Sequence, residues 1–286
     1  MSELAKRVIV ALIIAPIAVT AAWIGDAALA TLLSVVSGVA AWELCRMARA
    51  TAIPVLDGMT IALAAAVPLL SHAVRLNVLQ PSPAWFAVAL LLVMTATIFR
   101  RGLDQRPVSV AAVSMFVVFY TGGMLSFAYD LRYHNYAIGR AGQSLVLLFP
   151  VLLTWSSDVG AYFVGRLIGR TKLMPSVSPA KTVEGSIGGI ALSVAMCWLY
   201  VRYLLVPNGQ LGLSPLGIVL FGVLIAVAAQ LGDLFESLLK REAKVKDSSN
   251  LLPGHGGFLD RVDSLLFVLP VAALLLNVLL IPAPQS

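Results

Sequence analysis

Leu213 to Glu236 reads L-S-P-L-G-I-V-L-F-G-V-L-I-A-V-A-A-Q-L-G-D-L-F-E, and no charged residue interrupts it before Asp233. An apolar run of this length matches the roughly 20 residues a helix needs to cross about 30 Å of hydrocarbon. Outward from it, comparable stretches recur near 8–24, 27–45, 55–74, 83–99, 108–129, 144–165, 186–205 and 262–281, punctuated by Gly, Pro and charged residues. The 286-residue chain is 59% hydrophobic and only 12% charged, too apolar for one water-soluble core, so lipid must be its solvent. Lipid forces every backbone polar group to be satisfied inside its own segment. The expected fold is therefore all-α, a polytopic membrane bundle of about nine transmembrane helices. The stretch from Val8 to Ile24 follows Lys6 and Arg7 as a signal peptide would, but its length and the apolar segment after Asp26 make it a retained first span.

The formal charge of +6 points to nucleic acid in a soluble protein, whereas in a membrane protein the positions of the charges carry the information. With the N-terminus inside, the inner loops hold Lys6, Arg7, Arg46, Arg49, Arg100, Arg101, Arg106, Arg166, Arg170, Lys172, Lys181, Lys240, Arg241, Lys244, Lys246 and Arg261. The outer loops keep Arg75, Arg132, Arg140 and Arg202. The positive-inside rule then selects an N-in, C-out topology, and no nucleic-acid partner is expected. Cys45 and Cys197 form no metal-ligand or disulfide pattern and read as structural. His72 and His134 stand alone in short loops and read as solvated or structural. Gly160, Gly165, Gly169, Gly185, Gly188 and Gly189 cluster around the sixth and seventh spans, where small residues let helices pack closely.

By chemistry the chain divides in two. Residues 1–140 carry few polar groups within spans and read as a scaffold offering lipid and dimer contacts. Residues 141–286 read as the catalytic region, with cytoplasmic loops at 166–185 and 237–261. Those two loops hold nine of the 20 basic residues, which points to a polyanionic substrate. Asp158 in T-W-S-S-D and Asp233 near the end of the eighth span are acids where ionisation is costly without a partner or a cation, so both are functional candidates.

The most informative segment runs from Ala229 to Ser264, A-Q-L-G-D-L-F-E-S-L-L-K-R-E-A-K-V-K-D-S-S-N-L-L-P-G-H-G-G-F-L-D-R-V-D-S. At 3.6 residues per turn, Asp233, Glu236, Ser237, Lys240 and Arg241 can share one helix face. Lys246 and Asp247 follow, then a Pro-Gly-His-Gly-Gly turn whose glycines would let backbone N–H groups approach an anion, then Asp260, Arg261 and Asp263. Hard oxygen ligands such as Asp233 and Asp260 suit Mg2+, which fits phosphoryl or nucleotidyl transfer. His255 has two readings, binding phosphate or shuttling a proton, and merely ordering the turn. An ordinary solvated loop accounts for the lysines but leaves the acids at the span ends, Asp-Arg-Val-Asp and the glycine turn unexplained.

Ser237 to Asp263 closely resembles the signature of the phosphatidate cytidylyltransferases, the CDP-diacylglycerol synthases, through Ser237, Leu239, Lys240, Arg241, Lys246, Asp247, Ser249, Pro253, His255, Gly256, Gly257, Asp260, Arg261, Val262 and Asp263. D-V-G-A-Y-F-V-G-R-L-I-G-R and S-P-A-K-T-V-E-G, between Asp158 and Gly185, add to the likeness, which covers roughly 154–264. The resemblance implies reaction of CTP with phosphatidic acid, giving CDP-diacylglycerol and pyrophosphate in a bacterial-type inner membrane, with the site facing the cytoplasm. It implies Mg2+ at Asp233 and Asp260, with a monovalent cation such as K+ nearby. Lys240, Arg241, Lys246 and Arg261 would neutralise the triphosphate, with Asp247, His255 and Asp263 in the catalytic set. Asp158, Ser178, Lys181, Thr182, Gly256 and Gly257 would contribute to binding, and a homodimer is a family expectation. Asp158, Lys181, Asp247 and Asp263 read equally well as salt-bridge partners in the bundle. The rival readings are a polyprenol or phytol-type lipid kinase, an ether-lipid cytidylyltransferase, and, from another class, a transporter or flippase. The last would favour inverted repeats, which the chain does not display.

Overall fold

The computed structural model describes residues 3–100, 106–135 and 139–283, without the side chains of residues 3–9 and 11. Arg101, counted above among the inner charges, lies outside the described residues. A helix occupies each of the nine expected positions: α1 Glu3–Ile24, α2 Asp26–Ala50, α3 Asp57–Arg75, α4 Ala84–Arg100, α5 Pro107–Arg132, α6 Gly139–Ile168, α7 Val183–Gly209, α8 Pro215–Glu242 and α9 Leu259–Leu279. Among the described residues seven, α2, α3 and α5 to α9, are long and apolar enough to cross a bilayer. The apolar runs of the other two, Leu12–Ile24 and Ala84–Arg100, are shorter. The architecture is a polytopic helical bundle of an integral membrane protein, and side chains such as Leu91, Phe99, Leu167, Leu274 and Val278 point outward from it.

Two details depart from the sequence reading. Residues 166–185, expected as a loop, begin with the end of α6 and contain an antiparallel hairpin, β1 Lys172–Met174 with β2 Ser178–Thr182. Its three- to five-residue strands are too short for a readable alternation. A second pair joins β3 Leu211–Leu213 to β4 Leu280–Pro282. Residues 237–261, also expected as a loop, begin as the last turns of α8, because S-L-L-K-R-E contains good helix formers. The connection proper is 243–258.

Prolines inside α3, α6 and α9 do not end them. α5 and α7 each pass through a π-helical turn, at Val118–Gly123 and Val201–Leu205.

The chain forms two compact units, one of Met1–Tyr129 with Leu239–Val262, the other of Asp130–Leu238 with Asp263–Ser286. In the first, Leu56, Val93, Val110 and Met115 form a buried apolar cluster, and Ser34 Oγ donates to the Ala65 carbonyl at 2.7 Å to tie α2 to α3. In the second, Phe149 stacks on Tyr200 and Phe221 with ring centroids 4.6 and 4.7 Å apart, joining α6, α7 and α8. α6 and α7 approach backbone to backbone, and a Cβ on Gly160 would lie 2.8 Å from the Gly188 carbonyl oxygen. That close approach is the role expected of this glycine cluster.

Candidate active site

In the first unit, residues 243–258 are organised by two carboxylates. Asp260, in the first turn of α9, receives Lys240 Nζ on Oδ1 at 2.6 Å. Its Oδ2 receives the Ser248 amide at 2.9 Å, the Ser248 hydroxyl at 2.8 Å and the Gly257 amide at 2.8 Å. The ion pair is largely shielded, with Lys240 and Asp260 side chains 13% and 6% exposed, so both charges depend on each other and on the loop dipoles.

The second carboxylate is Glu43 of α2, which is 0% exposed. Oε2 accepts from the Ser248 hydroxyl at 3.0 Å and the Leu259 amide at 2.7 Å; Oε1 accepts from the Phe258 amide at 3.0 Å and from the Ser249 hydroxyl. The sequence reading passed over Glu43. An acid within the 27–45 span, two residues from its end, was the available signal, the same rule that singled out Asp158 and Asp233. Its partners lie more than 200 positions away, which no local pattern reports.

Several backbone donors of the turn are spent internally. Besides the amides already named, Leu252 donates to the Gly256 carbonyl and His255 to the Leu252 carbonyl, both at 2.9 Å. Gly256 has φ of 80°, where a side chain is strained. A Cβ on Gly257 would collide with Ser248 Oγ and Glu43 Oε1. Each glycine is thus required by the shape of the loop. His255 Nδ1 is buried with no hydrogen-bond partner among the described residues, while Arg241, Lys246, Asp247 and Arg261 are exposed.

The second unit holds the other acids. Lys181 Nζ pairs with Asp233 Oδ2 at 2.6 Å, and Asp158 lies within electrostatic reach of both. Ser237 Oγ donates to Asp233 Oδ1 at 3.4 Å, and Asp263 accepts the amide of Ser264 at 2.7 Å. β2 delivers Lys181 to this cluster. Thr182 caps α7 by accepting the Gly185 amide at 3.1 Å, and the Glu184 carboxylate accepts the amides of Arg170 and Thr171, each at 3.1 Å. Ser178 opens β2 and is half-buried.

As a donor set, Asp158 and Asp233 are two hard-oxygen groups facing a single lysine, which suits Mg2+. Asp260, the other acid expected to hold metal, has its oxygens committed to Lys240 and three loop donors. Among the described residues, no three His, Cys, Asp or Glu side chains converge on a metal-binding group.

His72, expected in a short loop, lies in the last turn of α3. His72 Nδ1 meets Tyr129 Oη at 2.5 Å, and burial pushes the His134 imidazole below its ordinary pKa. Cys45 and Cys197 are fully buried. A groove of about 630 Å³ lined by residues including Met59, Leu92, Phe99 and Arg100 contains none of the site residues.

Fold and site define an integral membrane protein whose acids are gathered at span ends, paired with lysines or with loop donors. The chain belongs to the cytidylyltransferase family, whose model matches residues 5–279. It is 45% identical over 130 residues to a phosphatidate cytidylyltransferase of Bacillus subtilis, covering 46% of each chain. It is 36% identical over 190 residues to that of Haemophilus influenzae, covering 65% of this chain and 63% of the relative. A Staphylococcus aureus protein of the same name is 41% identical over 171 residues, 60% of this chain and 59% of the relative. The chain thus spans about half the length of the curated relatives it matches.

Lys240→Met should cost about 3 kcal/mol or more by leaving Asp260 shielded and without its lysine. Adding Asp260→Asn should recover part of that loss in equilibrium unfolding of the detergent-solubilised protein. Additive losses would show that the two side chains are not a coupled pair.

Proposed function

We propose that this chain transfers the cytidylyl group of CTP to phosphatidic acid, giving CDP-diacylglycerol and pyrophosphate. The observation that carries the reading is the family match over residues 5–279, and the phosphatidate cytidylyltransferase names of its relatives support the substrates. The ordered 237–263 segment supports the location.

An oxygen of the lipid phosphate attacks the α-phosphorus of CTP, the bond to the β-phosphate oxygen breaks, and pyrophosphate leaves. The exposed cations Arg241, Lys246 and Arg261 are placed to offset the charge of the triphosphate and of the leaving pyrophosphate. Lys240 holds Asp260, which in turn keeps the loop that carries them in shape. His255, half-buried on the same turn, is a further phosphate contact in this reading. Mg2+ held by Asp158 and Asp233, in place of the contact to Lys181, would screen the phosphates and orient them for displacement. Lys181 would then be released toward anionic substrate groups. K+ as a second cation belongs to the same reading.

The nucleotide is water-soluble, so both polar segments belong on the cytoplasmic side, N-in and C-out, of a bacterial inner membrane. A cysteine placed at Lys246 should react with a membrane-impermeant thiol reagent from the cytoplasmic side only, and one at Arg202 from the opposite side. Reaction from the same side would refute the topology.

Purified protein given CTP and phosphatidic acid should form CDP-diacylglycerol and pyrophosphate in equal amounts, only with Mg2+ present. Asp233→Asn should slow this about 100-fold or more. Absence of product from well-folded protein would overturn the activity, and wild-type turnover by the variant would remove Asp233 from the site.

A further inference from the structure

Glu43 contributes a fully buried carboxylate to a loop more than 200 residues away in sequence, and nothing in the cytidylyl-transfer reading uses it. A shielded carboxylate inside a span is costly, and an apolar residue of the same volume would serve a scaffold better. What Glu43 does is visible in its partners. Each of its two oxygens takes one hydroxyl and one backbone amide. The hydroxyls belong to Ser248 and Ser249 at the beginning of the turn, and the amides to Phe258 and Leu259 at its end, where α9 starts. The carboxylate therefore closes the turn across its two ends and satisfies amides that the first turn of α9 leaves without helical partners.

The contact extends to the signature itself. Ser248 Oγ stands 3.0 Å from Glu43 Oε2 and 2.8 Å from Asp260 Oδ2, within reach of both acids, and its single proton serves one of them at a time. Gly257 backs onto Glu43 so closely that a methyl group has no room. Lys246, His255 and Arg261 lie on the two strands of chain that Glu43 draws together or on the turn between them.

We propose that Glu43 is a positioning residue for nucleotide binding: it fixes the shape of the 248–259 turn, and through it the placement of Lys246, His255 and Arg261. It touches no substrate, being fully buried. This inference rests on the cytidylyl-transfer reading for its kinetic consequence, and on geometry alone for its structural one.

The test compares the wild type, Glu43→Gln, Gly257→Ala and their double variant, with Ser34→Ala as control. Ser34 is also on α2 and makes its own contact between helices, away from the turn. Glu43→Gln turns an amide NH2 toward two of the donors that the carboxylate accepts, so the turn loosens. For this variant, KM for CTP should rise about tenfold or more while KM for phosphatidic acid holds, as expected for losing hydrogen bonds to a charged acceptor. Hydrogen exchange at the Phe258 and Leu259 amides should quicken, with α2 and α3 as protected as in the wild type. Gly257→Ala should act in the same way, and the double variant should be no worse than the more damaging single, because both changes break one contact. Unchanged CTP kinetics and exchange in Glu43→Gln, multiplying losses in the double variant, or an equal loss in Ser34→Ala would each overturn the proposal. A wild type inactive toward CTP and phosphatidic acid would instead refute the activity, and exchange at Phe258 and Leu259 would still decide whether Glu43 holds the turn.

Discussion

A carboxylate surrounded by apolar helices must find compensation, and the polar architecture of this chain follows from how it does so. Asp260 draws in Lys240 and three donors of the loop, Glu43 draws in four donors and no lysine, and Asp233 draws in Lys181 from the hairpin. Each solution fixes a different piece of chain. Removing Glu43 or Asp260 would leave buried donors without their acceptor, at the full cost of desolvating them.

The same constraint sorts the signature residues. Asp260, Lys240, Ser248 and Gly257 are turned inward and define the shape of the loop. Arg241, Lys246, Asp247 and Arg261 are exposed and carry the charge that a polyanion would meet. A fixed sequence spacing therefore serves two purposes, and a motif read as one binding surface separates into a frame and a face. Gly256 and Gly257 belong to the frame, through a positive φ and through contact with Glu43.

Much of this was legible in the sequence. The nine helices follow from apolar runs alone, since hydrocarbon leaves the backbone no alternative. The motif residues were visible because their spacing is dense and unusual. Other features left no local trace. The hairpin at 172–182 is too short to alternate, and its strands are held by the Thr182 cap and by Glu184 accepting the Arg170 and Thr171 amides. The glycine turn suggested open amides; the Gly257 amide is taken by Asp260 and the His255 amide by the Leu252 carbonyl, an outcome set by the folded loop. Glu43 itself was flagged by nothing but its charge within a span, and its partners lie beyond the reach of any window. The family match reaches both ends of this arrangement, from residue 5 to residue 279, so the first helices are part of the same family unit as the signature.

The proposed reaction makes the α-phosphorus of CTP the reacting centre, which separates a cytidylyltransferase from a lipid kinase with the same polar groups. Parallel reactions with phosphatidic acid, one with CTP labelled at the α-phosphate and one with CTP labelled at the γ-phosphate, test it most directly. For cytidylyl transfer, α-label enters the lipid product and γ-label leaves as pyrophosphate. Transfer of γ-label to the lipid, with α-label remaining in a soluble nucleotide, would contradict it.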